Sequence, residues 1–111
     1  MRFDGARVSR RRFAELVGVF FLPRDGKIIV GSQVVGMSFE GTRRVKGLEY
    51  CNEWNDARGA ARASLDQAGV WRLVQTLFVD GPLTDEYVRN FAGRFLQEAN
   101  EFYKEAASKF F

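Results

Sequence analysis

The chain has 111 residues, 46% of them apolar, which is enough to build one core and too few for a second. It contains no histidine and a single cysteine, Cys51, which excludes histidine-based catalytic triads, the usual zinc sites and an intrachain disulfide. The net charge is +3, no stretch approaches the ~18 apolar residues of a membrane span, and no secretory signal is visible, so we expect a cytoplasmic location.

Positive charge is concentrated in the N-terminal part of the chain. Residues 1–62 contain twelve Lys/Arg against seven Asp/Glu, whereas residues 63–111 contain five against seven. Two arginine clusters account for much of this excess, and they either face solvent or form an anion-binding surface. The arginines concerned are Arg10, Arg11, Arg12, Arg43 and Arg44.

The first predicted element is a short helix that follows a candidate N-cap, Ser9, and stops at Gly18. Its apolar side would carry Phe13, Leu16 and Val17. Residues 1–8 precede any apolar pattern, so we expect a flexible N-terminus there and one domain over residues 9–111.

A β-hairpin is predicted next. Two short β-type runs, Val19–Leu22 and Lys27–Val30, flank Pro23-Arg24-Asp25-Gly26, which is a strong turn sequence. We expect residues 31–33 to end the second strand, residues 34–39 to form a third strand, and residues 40–44 to form a loop.

The middle of the chain predicts a helix, a hairpin turn and two more strands. A helix over residues 45–58 would place Val45, Leu48, Cys51 and Asn55 on one face. A weak strand at residues 61–65, a turn at residues 66–69 and a long strand at residues 70–79 follow.

The long strand is apolar on both faces, which is typical of a strand between two layers or at a subunit interface. One face would carry Trp71, Leu73, Leu77 and Val79, and the other Val70, Val74 and Phe78. We take Trp71, Leu73, Leu77 and Phe78 as candidate interface residues.

The last predicted element is a long amphipathic helix that opens at the N-cap Thr84. Its apolar residues recur every three or four positions from Tyr87 to Phe110. The predicted fold class is therefore α+β: an antiparallel sheet of about four or five strands, flanking helices and a long C-terminal helix.

The densest local motif is Cys51-Asn52-Glu53-Trp54-Asn55. Asn is a poor helix former, and Asn52 and Asn55 lie three residues apart on one helical face, so the pair requires a reason. Their amides either satisfy backbone groups of a neighbouring strand, which we favour, or contact a ligand.

The order of these features resembles the YbjN family, described as bacterial sensory transduction regulators. The residues that carry it are Asn52, Trp54, Asn55 and Arg58, followed by a short strand, an Asp-x-x-Gly turn, a long apolar strand and the helix opened by Thr84. The resemblance implies a fold similar to type III secretion chaperones, usually dimeric, with no catalytic residues to carry over. The stretch before Asn52 looks shorter than in the family, which puts the strand count in question.

Other candidate sites are weaker. Cys51 has no histidine partner and is expected to pack as an apolar residue. Glu49, Glu53 and Asp56 could pair, but a solvated acidic face is the simpler interpretation. Residues 31–36 lack the lysine of a phosphate-binding loop. We expect no catalytic residue, no metal and no cofactor.

The sequence favours a non-enzymatic regulatory or chaperone-like module that binds a protein partner as a homodimer, with no membrane association. The alternative is a nucleic-acid-binding module that uses Arg10–Arg12 with Arg43–Arg44, and this would require both clusters to lie on one face. A carboxylate-based enzyme is the third hypothesis, and it would need two carboxylates facing each other in a pocket.

Overall fold

The structure is a computed structural model that describes residues 13, 17–34, 38–57, 60–79 and 81–110. Within these residues, four strands and two longer helices follow each other in chain order. They are β1 (Val17–Arg24), β2 (Lys27–Val34), α1 (Thr42–Ala57), β3 (Arg62–Leu65), β4 (Trp71–Phe78) and α2 (Asp85–Phe110). The predicted α+β class, with an antiparallel sheet of about four or five strands and a long C-terminal helix, is confirmed, and the sheet has four strands.

The sheet has the strand order β1-β2-β4-β3, and all three pairings are antiparallel. The β1–β2 hairpin closes at Asp25-Gly26, within the predicted turn sequence, but the turn is shorter than predicted because Pro23 and Arg24 belong to β1 and Arg24 pairs with Lys27. β2 reaches the centre of the sheet because Ile28–Ser32 pair with Leu77–Leu73 of β4. Helix α1 follows β2 in the chain and lies against β3. β3 forms the edge of the sheet opposite β1.

The core lies on one face of the sheet, which we call the inner face. Both helices contribute to it: α1 through Tyr50 and Trp54, and α2 through Phe95 and Phe102. Trp71 of β4 is fully buried at its centre. Rings that contact Trp71 come from Phe13, Phe39, Tyr50, Phe102 and Phe110. Trp71 and these five rings therefore form one cluster, and this cluster holds both helices on the same side of the sheet.

Three boundary predictions were wrong. Val17 and Gly18 belong to β1 rather than to a helix, although the rest of that predicted helix, apart from the buried Phe13, lies outside the described residues. β2 continues through residues 31–33 instead of ending there, because the backbone of this segment pairs with both β1 and β4. Val34, where a third strand was predicted to begin, is instead the last residue of β2. Ser38 forms an isolated bridge, and residues 35–37 of the predicted third strand lie outside the described residues.

The helix predicted at residues 45–58 corresponds to α1, and both its first residue and its buried face were predicted wrongly. It begins at Thr42, so the segment expected to be a loop forms its first turn. Its buried residues are Gly47, Tyr50, Cys51 and Trp54, whereas Val45 and Leu48 are exposed. The shift follows from Tyr50 and Trp54, whose large rings have the most to gain from burial.

Candidate interaction surfaces

Asn55 binds the backbone of β3 along the edge that does not pair with β4. Its Nδ2 donates to the carbonyl oxygen of Ala63 at 2.9 Å, and its Oδ1 accepts from the Ala63 backbone N–H at 2.8 Å. The side-chain amide thus takes the place of a fifth strand at this position. The prediction that Asn55 would bond to backbone outside its own helix is confirmed, with the side chain half-buried.

The other motif residues divide between structure and solvent. Trp54 is buried and donates from Nε1 to the carbonyl oxygen of Ala61 at 3.2 Å, so it ties α1 to the start of β3. Asn52 is exposed, and Arg58 lies outside the described residues. The motif therefore connects α1 to β3 through hydrogen bonds from Trp54 and Asn55. The bonds of Asn55 also explain why an asparagine occurs near the end of this helix.

The candidate interface residues lie on opposite faces of β4. Trp71, Leu73 and Leu77 point to the inner face and are buried within the chain beneath the helices, so their availability for an interface was a wrong expectation. Phe78 points to the opposite face and leaves 74% of its surface exposed.

The face of the sheet that carries Phe78, which we call the outer face, has no helix on it in the described part of the chain. The pairing registers place five large apolar residues there, together with Gly31. They are Phe20, Leu22, Ile29, Gly31, Val74 and Phe78. The ring of Phe20 lies directly over Gly31, where a Cβ would come within 2.2 Å of the ring. The outer face thus carries an apolar patch, which includes β1 residues not singled out from the sequence. Basic side chains border the patch on the same face, namely Arg24, Lys27, Arg62 and Arg72.

A second apolar feature is a groove between β1 and α2 on the inner face. Its volume is about 740 Å³, and its walls include Phe13, Val17 and Val19 on one side and Leu96, Ala99 and Tyr103 on the other. The groove exists because α2 crosses β2 and β4, which leaves the inner face of β1 partly uncovered. The uncharged run Val17–Leu22 is the sequence signal for it, although the sequence does not reveal that β1 is an edge strand.

The arginine clusters are only partly described. Arg10, Arg11 and Arg12 lie outside the described residues, so their position relative to the second cluster is not tested. Arg43 and Arg44 lie in the first turn of α1, and Arg44 Nη1 donates to the carbonyl oxygen of Gln67 at 3.5 Å. This weak, exposed contact leaves most of the guanidinium's hydrogen-bonding capacity available to solvent.

The buried titratable groups are arranged as core residues. Burial raises the pKa of the Cys51 thiol to about 11. Burial also raises the pKa of Tyr103, whose hydroxyl shares a 3.0 Å hydrogen bond with that of Ser32. Glu49, Glu53 and Asp56 are exposed on α1, and Glu53 pairs with Lys109 at 3.1 Å. No group of three metal-ligating side chains occurs within the described ranges.

None of the helices in the described part of the chain is long and apolar enough to cross a bilayer.

Comparison with known proteins identifies the family. The model of the YbjN family, described as "Putative bacterial sensory transduction regulator", matches residues 4–108. The fold is similar to the crystal structure of YbjN from E. coli, described as "a putative transcription regulator", with a TM-score of 0.70 and 17% identity over 83% of this chain and 71% of that one. No curated protein matches the chain. Since the family model spans nearly the whole sequence, the chain belongs to the YbjN family of bacterial regulators.

Proposed function

We propose that the protein is a non-enzymatic, cytoplasmic regulatory module that acts by binding another protein, and that it does so as a homodimer joined through the outer face of its sheet. The main support is the apolar patch on the outer face, where Leu22 and Phe78 are exposed. Half-buried apolar residues lie beside them, namely Phe20, Ile29 and Val74. A regulator family supports a role in binding. The buried, unpaired Cys51 suits a reducing compartment.

Burial of the outer face against a second copy would remove two apolar patches at once. Soluble monomers rarely expose contiguous apolar patches of this kind, and a two-fold axis makes the same patch self-complementary. Phe78 is suited to anchor such an interface because aromatic side chains supply large contact areas with few rotatable bonds. A standard interface of about 800 Å² on each partner would keep the dimer together at micromolar concentration.

The test is the mass of the protein in solution, measured by light scattering and by sedimentation over a dilution series. We expect a dimer for the unmodified chain and a monomer for Phe78→Glu, because the variant replaces the most exposed aromatic ring of the patch with a charged side chain that would lose its hydration in the dimer. Val45→Glu is the matched control, since Val45 is equally an exposed apolar residue but lies on α1. A monomeric unmodified protein at high concentration would refute the dimer.

The alternative role is nucleic-acid binding through the arginines. Its support is that Arg43 and Arg44 lie side by side in the first turn of α1, and that the similar E. coli protein is described as a transcription regulator. Titration of the protein with DNA and with RNA at increasing salt separates the two roles. Binding that weakens steeply with salt and is lost in the Arg43→Glu/Arg44→Glu double variant would favour the alternative.

A further inference from the structure

The two edges of the sheet differ in how the outward-pointing backbone groups of the edge strand are hydrogen-bonded. At the β3 edge, Asn55 occupies the outward N–H and C=O of Ala63. At the β1 edge, none of the described strands pairs with the far side of Val17–Arg24. Natural sheets usually protect an exposed edge with charged residues, a bulge or a covering element. β1 instead presents the uncharged run Val17–Leu22, and its only charged residue is the terminal Arg24.

The register shows which backbone groups point away from the sheet. Arg24 and Lys27 close a two-residue turn, so they form a hydrogen-bonded pair, and such pairs alternate along the hairpin. The intervening residues of β1 therefore direct their N–H and C=O groups outward. Pro23 fits this assignment, because a residue without an N–H is tolerated where no ladder bond is needed. Val19 and Phe21 then offer two N–H and two C=O groups to a neighbouring strand.

The side chains of these outward-bonding residues lie on the inner face, beside the groove. Val19 is 47% exposed and Phe21 is 55% exposed, although both are paired with buried positions of β2, namely Ser32 and Val30. A strand added next to β1 would place every second side chain on this same face. The groove of about 740 Å³ along α2 is large enough to receive them, and Leu96 and Ala99 give it an apolar wall.

The charge at this edge is basic. Among the described residues, Lys104 is the one charged side chain that lines the groove. β1 adds one more, Arg24, which its pairing with Lys27 places on the outer face at the end of this edge. A bound strand with acidic residues at its ends would therefore be complementary in charge, whereas one with basic ends would be repelled.

We propose that the β1 edge is the docking site for an extended segment of a protein partner, which adds a fifth strand to the sheet, inserts alternate apolar side chains into the groove and carries acidic residues at its ends. This inference rests on the proposed protein-binding role, and it specifies how the partner is held. Main-chain hydrogen bonds would provide affinity, and the groove would select the side chains.

The probe is the synthetic peptide Asp-Thr-Val-Thr-Phe-Thr-Val-Thr-Asp, titrated up to about 1 mM into isotope-labelled protein, the range in which a weak single-strand contact is detectable. We expect saturable binding, with the amides of Val19 and Phe21 protected from hydrogen exchange. The same peptide N-methylated at its Val and Phe residues should bind about tenfold or more weaker, because it has lost its donors to β1. A peptide with lysine ends should also bind more weakly.

Two variants test the site on the protein side. Val19→Pro removes one outward N–H at a position equivalent to Pro23, so the hairpin should persist while peptide binding falls about tenfold or more. Lys104→Glu should reverse the preference between acidic and basic peptide ends without changing the fold. Phe78→Glu should leave peptide binding unchanged, which separates a failure of this proposal from a failure of the outer-face dimer.

Three results would overturn the proposal. The first is no protection of the Val19 and Phe21 amides at the highest peptide concentration. The second is protection already present in the free, dilute protein, which would mean that the chain itself occupies the edge. The third is protection that grows with protein concentration alone, which would assign the edge to a second copy.

Discussion

At the scale of single residues, Asn55 shows why a residue with low helix propensity occurs near the end of α1. A backbone strand would donate and accept one hydrogen bond at Ala63, and the Asn55 amide does both. The sequence showed that the asparagine pair needed an explanation, because each amide competes with helical hydrogen bonding. It could not show that only Asn55 faces a strand while Asn52 faces solvent, because this depends on where β3 packs.

Asn55→Leu should lower the free energy of unfolding by ~1–3 kcal/mol, because two backbone groups of Ala63 lose their partners. Asn52→Leu is the matched control on the same helix, and its effect should stay within ~0.5 kcal/mol because Asn52 is exposed. Urea unfolding followed by circular dichroism measures both. Equal effects of the two variants would contradict the edge-closing role of Asn55.

At the scale of elements, the β3–β4 hairpin is joined to the segment before α1 through Gly69. The Phe39 N–H donates to the Gly69 carbonyl oxygen at 2.8 Å, and Gly69 has a φ of 81°. A Cβ at Gly69 would lie 2.3 Å from the carbonyl oxygen of Phe39, which belongs to the backbone and cannot rotate away. This contact holds Phe39 against Trp71, with ring centroids 4.3 Å apart.

Gly69→Ala should therefore cost ~2–4 kcal/mol, since it combines a strained backbone conformation with a backbone clash. Gly93→Ala is the contrasting variant, because Gly93 lies inside α2 and has open space around its Cα. Alanine there should raise the free energy of unfolding by ~0.5–1 kcal/mol through helix propensity. Thermal and urea unfolding of both variants give the comparison, and a tolerated Gly69→Ala would contradict the packing of Phe39 on this turn.

At the scale of the whole molecule, the aromatic core couples stability to alkaline pH through Cys51. An unfolded thiol ionises near pH 9.0, whereas burial raises the pKa of Cys51 to about 11 in the folded chain. Above pH 9.0 the unfolded state thus binds fewer protons than the folded state, so the free energy of unfolding falls as pH rises toward about 11. Below that window the stabilisation is fully present.

Urea unfolding of the parent chain should show a loss on the order of 1–3 kcal/mol across this window. Cys51→Ala should be less stable at neutral pH because of the lost packing, but it should lack most of the decline between about pH 9 and about pH 10. Tyr103, whose pKa burial also raises, adds a decline only above its ordinary value of 10.0. Rapid reaction of the native thiol with a thiol reagent at neutral pH would contradict its burial.

The sequence by itself determined the elements whose signal is local. The three-to-four-residue repeat up to Phe110 predicts α2, the Thr84 cap marks its start, and Asp25-Gly26 marks the hairpin. The Asn-Trp-Asn motif and the order of elements also identified the family correctly. These features depend on backbone preferences and on periodicity over a few residues, so they can be recognised without knowing how distant parts of the chain pack.

Only the tertiary structure decided which apolar surfaces remain uncovered. β4 is apolar on both faces, and its sequence cannot tell that Trp71, Leu73 and Leu77 are covered by the helices while Phe78 is not. In the same way, the run Val17–Leu22 reads as a strand, but its position at an edge follows from the order β1-β2-β4-β3. The physical reason is that covering a face depends on contacts between residues far apart in the chain, and the Trp71 cluster draws both helices to one side.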